Sequence, residues 1–167
     1  MKKYFFLSAL AVFSLSTIVS CERTTDVVQA QDNDTYSQMK DVTGTLNATN
    51  SYTISQNISI LSTDVVLVYR NINSNTNGGK VWQLLPKTSY LSGGRELDYN
   101  FLFNTQKVEI FTEANFDQST MTSTEKDTYL NNQTFRIVLV PASNKNANVD
   151  YNDYNAVVKY FNLKEPK

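Results

Sequence analysis

Leu97-Asp98-Tyr99-Asn100-Phe101-Leu102-Phe103 carries a large apolar side chain at every second position, and Lys107 through Thr112 resumes the pattern with Val108 and Ile110. Successive side chains of a strand point to opposite faces, so a period of two collects Leu97, Tyr99, Phe101 and Phe103 on one half-buried face. Asn104-Thr105 suits a tight connection between the two runs, and the whole stretch reads as a β-hairpin.

The same signal extends towards the N-terminus. Tyr52, Ile54, Ile58 and Ile60 alternate with Thr53, Ser55, Asn57 and Ser59. Asp64 then introduces Val65-Val66-Leu67-Val68-Tyr69, a β-branched run with no polar side, the pattern of a strand covered on both faces. Asn71 to Gly79 is nearly all Asn, Ser, Thr and Gly and reads as a loop. Val81 to Leu85 reads as a further strand with Trp82 in a core position, the alternative being a sugar-stacking platform formed with tyrosines on a sandwich face, and it is ended by Pro86, which cannot donate to a ladder. Ser92-Gly93-Gly94 is the turn before the hairpin.

Towards the C-terminus, residues 113–133 are polar apart from Phe116, Met121, Tyr129 and Leu130, with a helical turn expected near Ser123 to Leu130, capped by Ser123 or Thr124. Phe135 to Val140 is the last strand, closed by Pro141. The period then changes: Tyr154, Val157, Val158 and Phe161 form one helical stripe, with Asp150 as N-cap and Asp153 in the first turn, so a helix is expected over 150–162. Strands at short spacing followed by one helix predict a mainly β chain. The expected fold is an antiparallel β-sandwich-like domain over 42–167, with the amphipathic helix on an edge or end. One helix cannot cover a parallel sheet.

Ahead of this domain, Lys2 and Lys3 precede a mostly apolar run from Tyr4 to Leu15, and Ile18-Val19-Ser20 leads into Cys21, the one cysteine of the chain. The run is shorter than the ~20 residues a spanning helix needs and has the length of an export-signal core. A short apolar stretch ending in a small residue before cysteine resembles a lipobox. Residues 1–20 are therefore expected to be a removable lipoprotein signal, with Cys21 as the lipidation site. A lone thiol in an exported chain otherwise lacks a partner, and two or more acyl chains give stable anchoring. Residues 21–41 are polar and read as a flexible tether. Removing residues 1–20 leaves 147 of the 167 residues, with 13 basic against 16 acidic side chains, a net charge of −3. That balance argues against nucleic acid as a partner. The partners expected are the membrane, through the lipid, and an envelope protein or a glycan. The expected location is the bacterial cell envelope, at the outer membrane.

The chain has no histidine. Ser-His-Asp and Cys-His catalysis and histidine-ligated metals are thereby excluded, and with Cys21 committed to lipid so are thiol catalysis and cysteine-metal sites. Gly78-Gly79 and Gly93-Gly94 lack the strand-to-helix setting of a phosphate cradle, so no cofactor is expected. Two carboxylate groupings remain. Glu96, Asp98, Glu109 and Glu113 lie in the hairpin region, and Asp98 and Glu109 are expected to oppose each other on its polar side, as a solvated face or as the pair a glycan-cleaving enzyme needs. Asn144, Asn146, Asp150 and Asp153 stand at positions 3, 5, 9 and 12 of a frame opened by Ala142. The reading taken is a polar loop with a capping Asp and no metal; the alternative is a calcium loop, like half of a dockerin module, that departs from pattern at Ala142 and Ala147.

Asp64-Val65-Val66-Leu67-Val68-Tyr69, Val81-Trp82-Gln83-Leu84-Leu85-Pro86, Val108-Glu109-Ile110-Phe111, Asn115-Phe116-Asp117, Phe135-Arg136-Ile137-Val138-Leu139-Val140-Pro141 and Asp153-Tyr154-Asn155-Ala156-Val157 together resemble a family of small lipoproteins of Bacteroidetes-type bacteria, some with a collagen-like tether that this chain lacks. The resemblance implies a lipid-anchored envelope protein and no particular chemistry. The expected function is a non-catalytic structural or binding β-domain on a lipid anchor. The alternative is a carboxylate-only glycan-active enzyme, which needs two carboxylates about 5–10 Å apart in a cleft.

Overall fold

The computed structural model describes residues 37–142 and 148–166. Val65–Asn71 (β3) is buried at every position after Val65, as its unbroken apolar run requires. It sits inside a four-stranded antiparallel sheet with Gln38–Gly44 (β1), Trp82–Leu84 (β4) and Gln133–Val140 (β8), in the order β1-β8-β3-β4. A second antiparallel sheet has the order β2-β7-β6-β5, formed by Thr53–Asn57 (β2), Lys87–Leu91 (β5), Arg95–Phe103 (β6) and Lys107–Ala114 (β7). A short helix, Ser123–Tyr129 (α1), precedes β8, and Tyr154–Tyr160 (α2) follows it.

Alternation along β3 and β8 builds two cores. Val66 and Val68 of β3 with Phe135 and Ile137 of β8 face the second sheet, where Ile54, Leu97, Tyr99, Val108 and Ile110 meet them. The intervening residues Leu67, Tyr69, Val138 and Val140 face the other way and pack against Val157, Phe161 and Leu163. The chain is thus mainly β, a sandwich of two antiparallel sheets with a C-terminal helix. The helix lies on the outer face of the first sheet rather than on the expected edge or end. The reason is visible in β3 and β8: a strand apolar on both sides needs a cover on both sides.

The hairpin β6–β7 forms as read, pairing Leu97 with Ala114 and Phe103 with Val108. Other boundaries move. β1 starts at Gln38, ahead of the domain start expected at 42, so Gln38 to Asp41 belong to the sheet and not to the tether. β5 lies where no strand is expected from the sequence, because it is an edge strand with a largely solvated pattern and little apolar signal. The last helix begins at Tyr154 with Asp153 as its cap, its side chain accepting from the Asn155 and Ala156 amides. Asp150, the expected cap, instead closes a turn by accepting from the Asn152 amide. Thr122, and neither Ser123 nor Thr124, caps α1, in a reciprocal box with Glu125. Among the described residues no helix is long and apolar enough to cross a membrane.

The stripe on α2 has a measurable weight. Phe161, only 7% exposed and seated against β3 and β8, is expected to cost about 3 kcal/mol on truncation to Ala. Asp153→Ala should cost about 1 kcal/mol through the lost cap, and Asp150→Ala clearly less. Urea unfolding of the three variants checks the order.

Candidate functional site

Arg136 stands in the apolar run of β8 between Phe135 and Ile137, and its side chain is fully buried. Those neighbours point into the inter-sheet core, so alternation places Arg136 on the opposite face, beneath α2. A buried guanidinium must find anions and acceptors or lose more in desolvation than packing returns. The register supplies the first anion, because Asp41 of β1 is the direct cross-strand partner of Arg136. The pair is bidentate: Nε donates to Oδ1 at 2.6 Å and Nη2 to Oδ2 at 2.8 Å. The remaining nitrogen, Nη1, donates to the Tyr154 hydroxyl and pairs with Glu165 Oε2 at 2.6 Å.

Aromatic rings complete the enclosure. The Arg136 guanidinium carbon lies 4.2 Å from the Trp82 ring centroid and 5.5 Å from that of Tyr154. The Trp82 and Tyr154 rings are 5.7 Å apart, and Tyr154 meets Tyr69 edge-on at 5.3 Å. Lys80 places its ammonium 3.1 Å from Asp41 Oδ2 and 5.8 Å above Trp82. Since β4 and β1 are opposite edges of the sheet, Trp82 and Lys80 reach across its face to meet residues of β8 and β1.

These contacts set the local electrostatics. Burial alone would raise the Asp41 carboxyl, but hydrogen bonds from Arg136 and Lys80 and their positive charges outweigh it and hold it below its ordinary value. Burial likewise works against the charge on Arg136, and the bonds to Asp41 and Tyr154, with the carboxylates nearby, overcome it and keep the guanidinium firmly protonated. The Tyr154 hydroxyl is pushed up to about 12 by burial and by its bond to Glu165, with Arg136 opposing.

Above this cluster the surface opens into a groove of about 650 Å³ lined by Lys80, Trp82, Asn152, Asp153, Tyr154, Asn155 and Glu165. The volume is in the range of small-molecule sites, and the lining is mixed, two rings among side-chain amides, an ammonium and two carboxylates. Amides and an ammonium can bond hydroxyls, and the rings can take the apolar face of a flat ligand.

Of the residues singled out from sequence, Trp82 and Asp153 line this groove. Cys21, Asn144 and Asn146 lie outside the described residues. Asp150 and Asp153 each commit Oδ1 to local backbone amides, and among the described residues no group of three or more acidic or cysteine side chains is placed to hold a metal ion. Asp98 opposes Glu113, while Glu109 opposes Leu102, so the expected Asp98–Glu109 pairing is displaced by the actual hairpin register. Asp98 accepts from Thr88, Glu109 pairs with Lys107, and Glu113 accepts from Asn100. The hollow beside Asp98, about 340 Å³, is lined by that one carboxylate together with Lys87, Thr88, Tyr90 and Asn100. Trp82, expected in the core, is half-buried and forms a wall of the groove.

Sequence reasoning missed Arg136, Asp41, Lys80 and Glu165. The available signal was Arg136 itself, one charge inside a run of buried apolar residues, which announces a partner without naming it. Arg70, next to last in β3, carries a similar signal and resolves it differently: it donates to Gln133 Oε1 at 3.0 and 2.6 Å and to the Thr128 carbonyl, and lies 4.3 Å over Tyr99. Burial lowers its pKa, with Tyr99 and Tyr129 opposing.

Compared with family models, curated proteins and solved structures, the chain matches none.

The Asp41 shift fixes a pH dependence. A carboxyl depressed in the folded state adds stability that is full above its unfolded pKa and is lost as pH falls through the folded value. The chain should therefore lose stability below about pH 4, the ordinary carboxyl range. Asp41→Asn should flatten that acid limb and cost on the order of 3 kcal/mol at pH 7, by leaving a buried cation short of its partner. Urea midpoints measured from pH 2 to pH 7 for both proteins check this.

Proposed function

We propose that this protein is a lipid-anchored module of the bacterial cell envelope, held by lipid on Cys21, whose sandwich domain binds a glycan in the Trp82–Tyr154 groove without catalysing its cleavage. The observation that carries the binding reading is the pair of rings 5.7 Å apart beside side-chain amides. Both rings are fixed from below by a buried guanidinium, so a sugar face meets a surface that need not be ordered on binding. The anchor rests on the charged start, the apolar run and the small residue before the only cysteine. The enzymatic alternative has less support at the hairpin, where Asp98 opposes Glu113 but only Asp98 lines the neighbouring hollow. In the groove Asp153 is occupied as a helix cap and Glu165 by Arg136.

Two experiments test the two halves. Cys21→Ser should abolish palmitate labelling and release the protein from membranes; continued labelling contradicts the anchor. The chain from residue 22 onward, applied to a glycan array, should give signals that Trp82→Ala lowers by at least tenfold, the effect of about 1.4 kcal/mol that loss of one stacking ring carries. An array unresponsive to that substitution contradicts the groove.

A further inference from the structure

We propose that the groove's ligand is an acidic glycan, and that Glu165 holds the place of the ligand's carboxylate until it is displaced. The inference rests on the glycan reading above and names the ligand class.

Its basis is how the donors of Arg136 and Tyr154 are shared between the sheet and the tail. Two cations, Arg136 and Lys80, meet one anion supplied by the sheet, Asp41, which the β1–β8 register fixes in place. Asp41 takes Nε and Nη2. The second anion comes from the tail. Glu165 lies past α2 in a stretch without regular structure, with its side chain 61% exposed, yet it reaches the one corner of the fully buried guanidinium left by Asp41. Its other oxygen accepts from the Tyr154 hydroxyl at 2.8 Å. Arg136 Nη1 and Tyr154 therefore form a two-donor carboxylate seat beside the Trp82 ring, and a half-exposed residue of the groove lining fills it.

The tail can leave without disturbing the core. Leu163 is buried against β3 and β8 and its amide donates to the Val158 carbonyl at 3.0 Å, so the chain is pinned two residues before Glu165. With Glu165 swung out, Arg136 Nη1 and the Tyr154 hydroxyl are left without the carboxylate they share. A sugar bearing one carboxylate refills those two donors, places its ring on Trp82, and meets Asn152 and Asn155 with its hydroxyls. An acidic peptide could match the charge but makes no use of the flat ring wall.

Trp82 is the chain's single tryptophan, so its emission reports the groove directly. The probes are sodium glucuronate, galacturonate and N-acetylneuraminate, with their methyl esters as uncharged controls and a glutamate-rich peptide as the rival. At least one acid should shift Trp82 emission saturably and its ester should not. Glu165→Gln, at an exposed position, should tighten that acid on the order of tenfold, the gain when the binding-competent state rises from about a tenth of molecules to all of them. Acid and ester binding alike, or an unchanged affinity in Glu165→Gln, overturns the acidic seat and leaves the glycan groove standing. Preference for the peptide overturns the glycan class as well. No saturable response to any sugar, together with an array indifferent to Trp82→Ala, removes both readings.

Discussion

A fully buried arginine in the middle of β8 obliges the surrounding structure to answer it. Arg136 has apolar neighbours on both sides in sequence, and its guanidinium sits between a sheet and a helix, where leaving it unpaired would cost several kcal/mol. The answer recruits four separate parts of the chain: Asp41 from β1, Trp82 from β4, Tyr154 from α2 and Glu165 from the tail. β1 is polar in sequence and lies at a sheet edge. Its bidentate bond to Arg136 gives this strand a specific register, where a purely apolar contact would tolerate a slip.

The same obligation shapes the surface. Trp82 and Tyr154 are held at fixed distances because one face of each ring is engaged with the guanidinium, which leaves the groove walls ordered before any ligand arrives. Support from beneath is what keeps a binding site within the tolerances recognition needs. Arg70 is an instructive contrast. It too is buried and ring-stacked, but it faces the inter-sheet core and is satisfied by neutral oxygens of Gln133 and Thr128. The charge of Arg70 is absorbed by dipoles within the fold, whereas that of Arg136 is balanced by carboxylates, one of them exposed.

The elements most readable from sequence are those whose apolar pattern is complete within a few residues. The hairpin at 97–112, the doubly covered β3 and the stripe on α2 all emerge from local periodicity, because burial alone decides them. β5 and β1 did not, since edge strands keep half their surface in water and carry little apolar signal. The placement of α2 on a sheet face followed from information that was present, the two-sided apolar character of β3 and β8, but needed both strands to be considered together. The groove was least legible. Asp41, Arg136 and Glu165 are separated by most of the domain, and only the sheet order and the cross-strand register bring them together.

The central claim is that Arg136 is sealed beneath the rings and clamped by Asp41, and nuclear magnetic resonance of the arginine side chains reports on it most directly. The account predicts for Arg136 an Nε–H that exchanges slowly with solvent, separate signals for its two terminal nitrogens because rotation is blocked, and an upfield displacement of neighbouring protons by the Trp82 ring current. Fast exchange with averaged terminal nitrogens, the behaviour of a solvated arginine, would contradict the clamp and with it the groove built upon it.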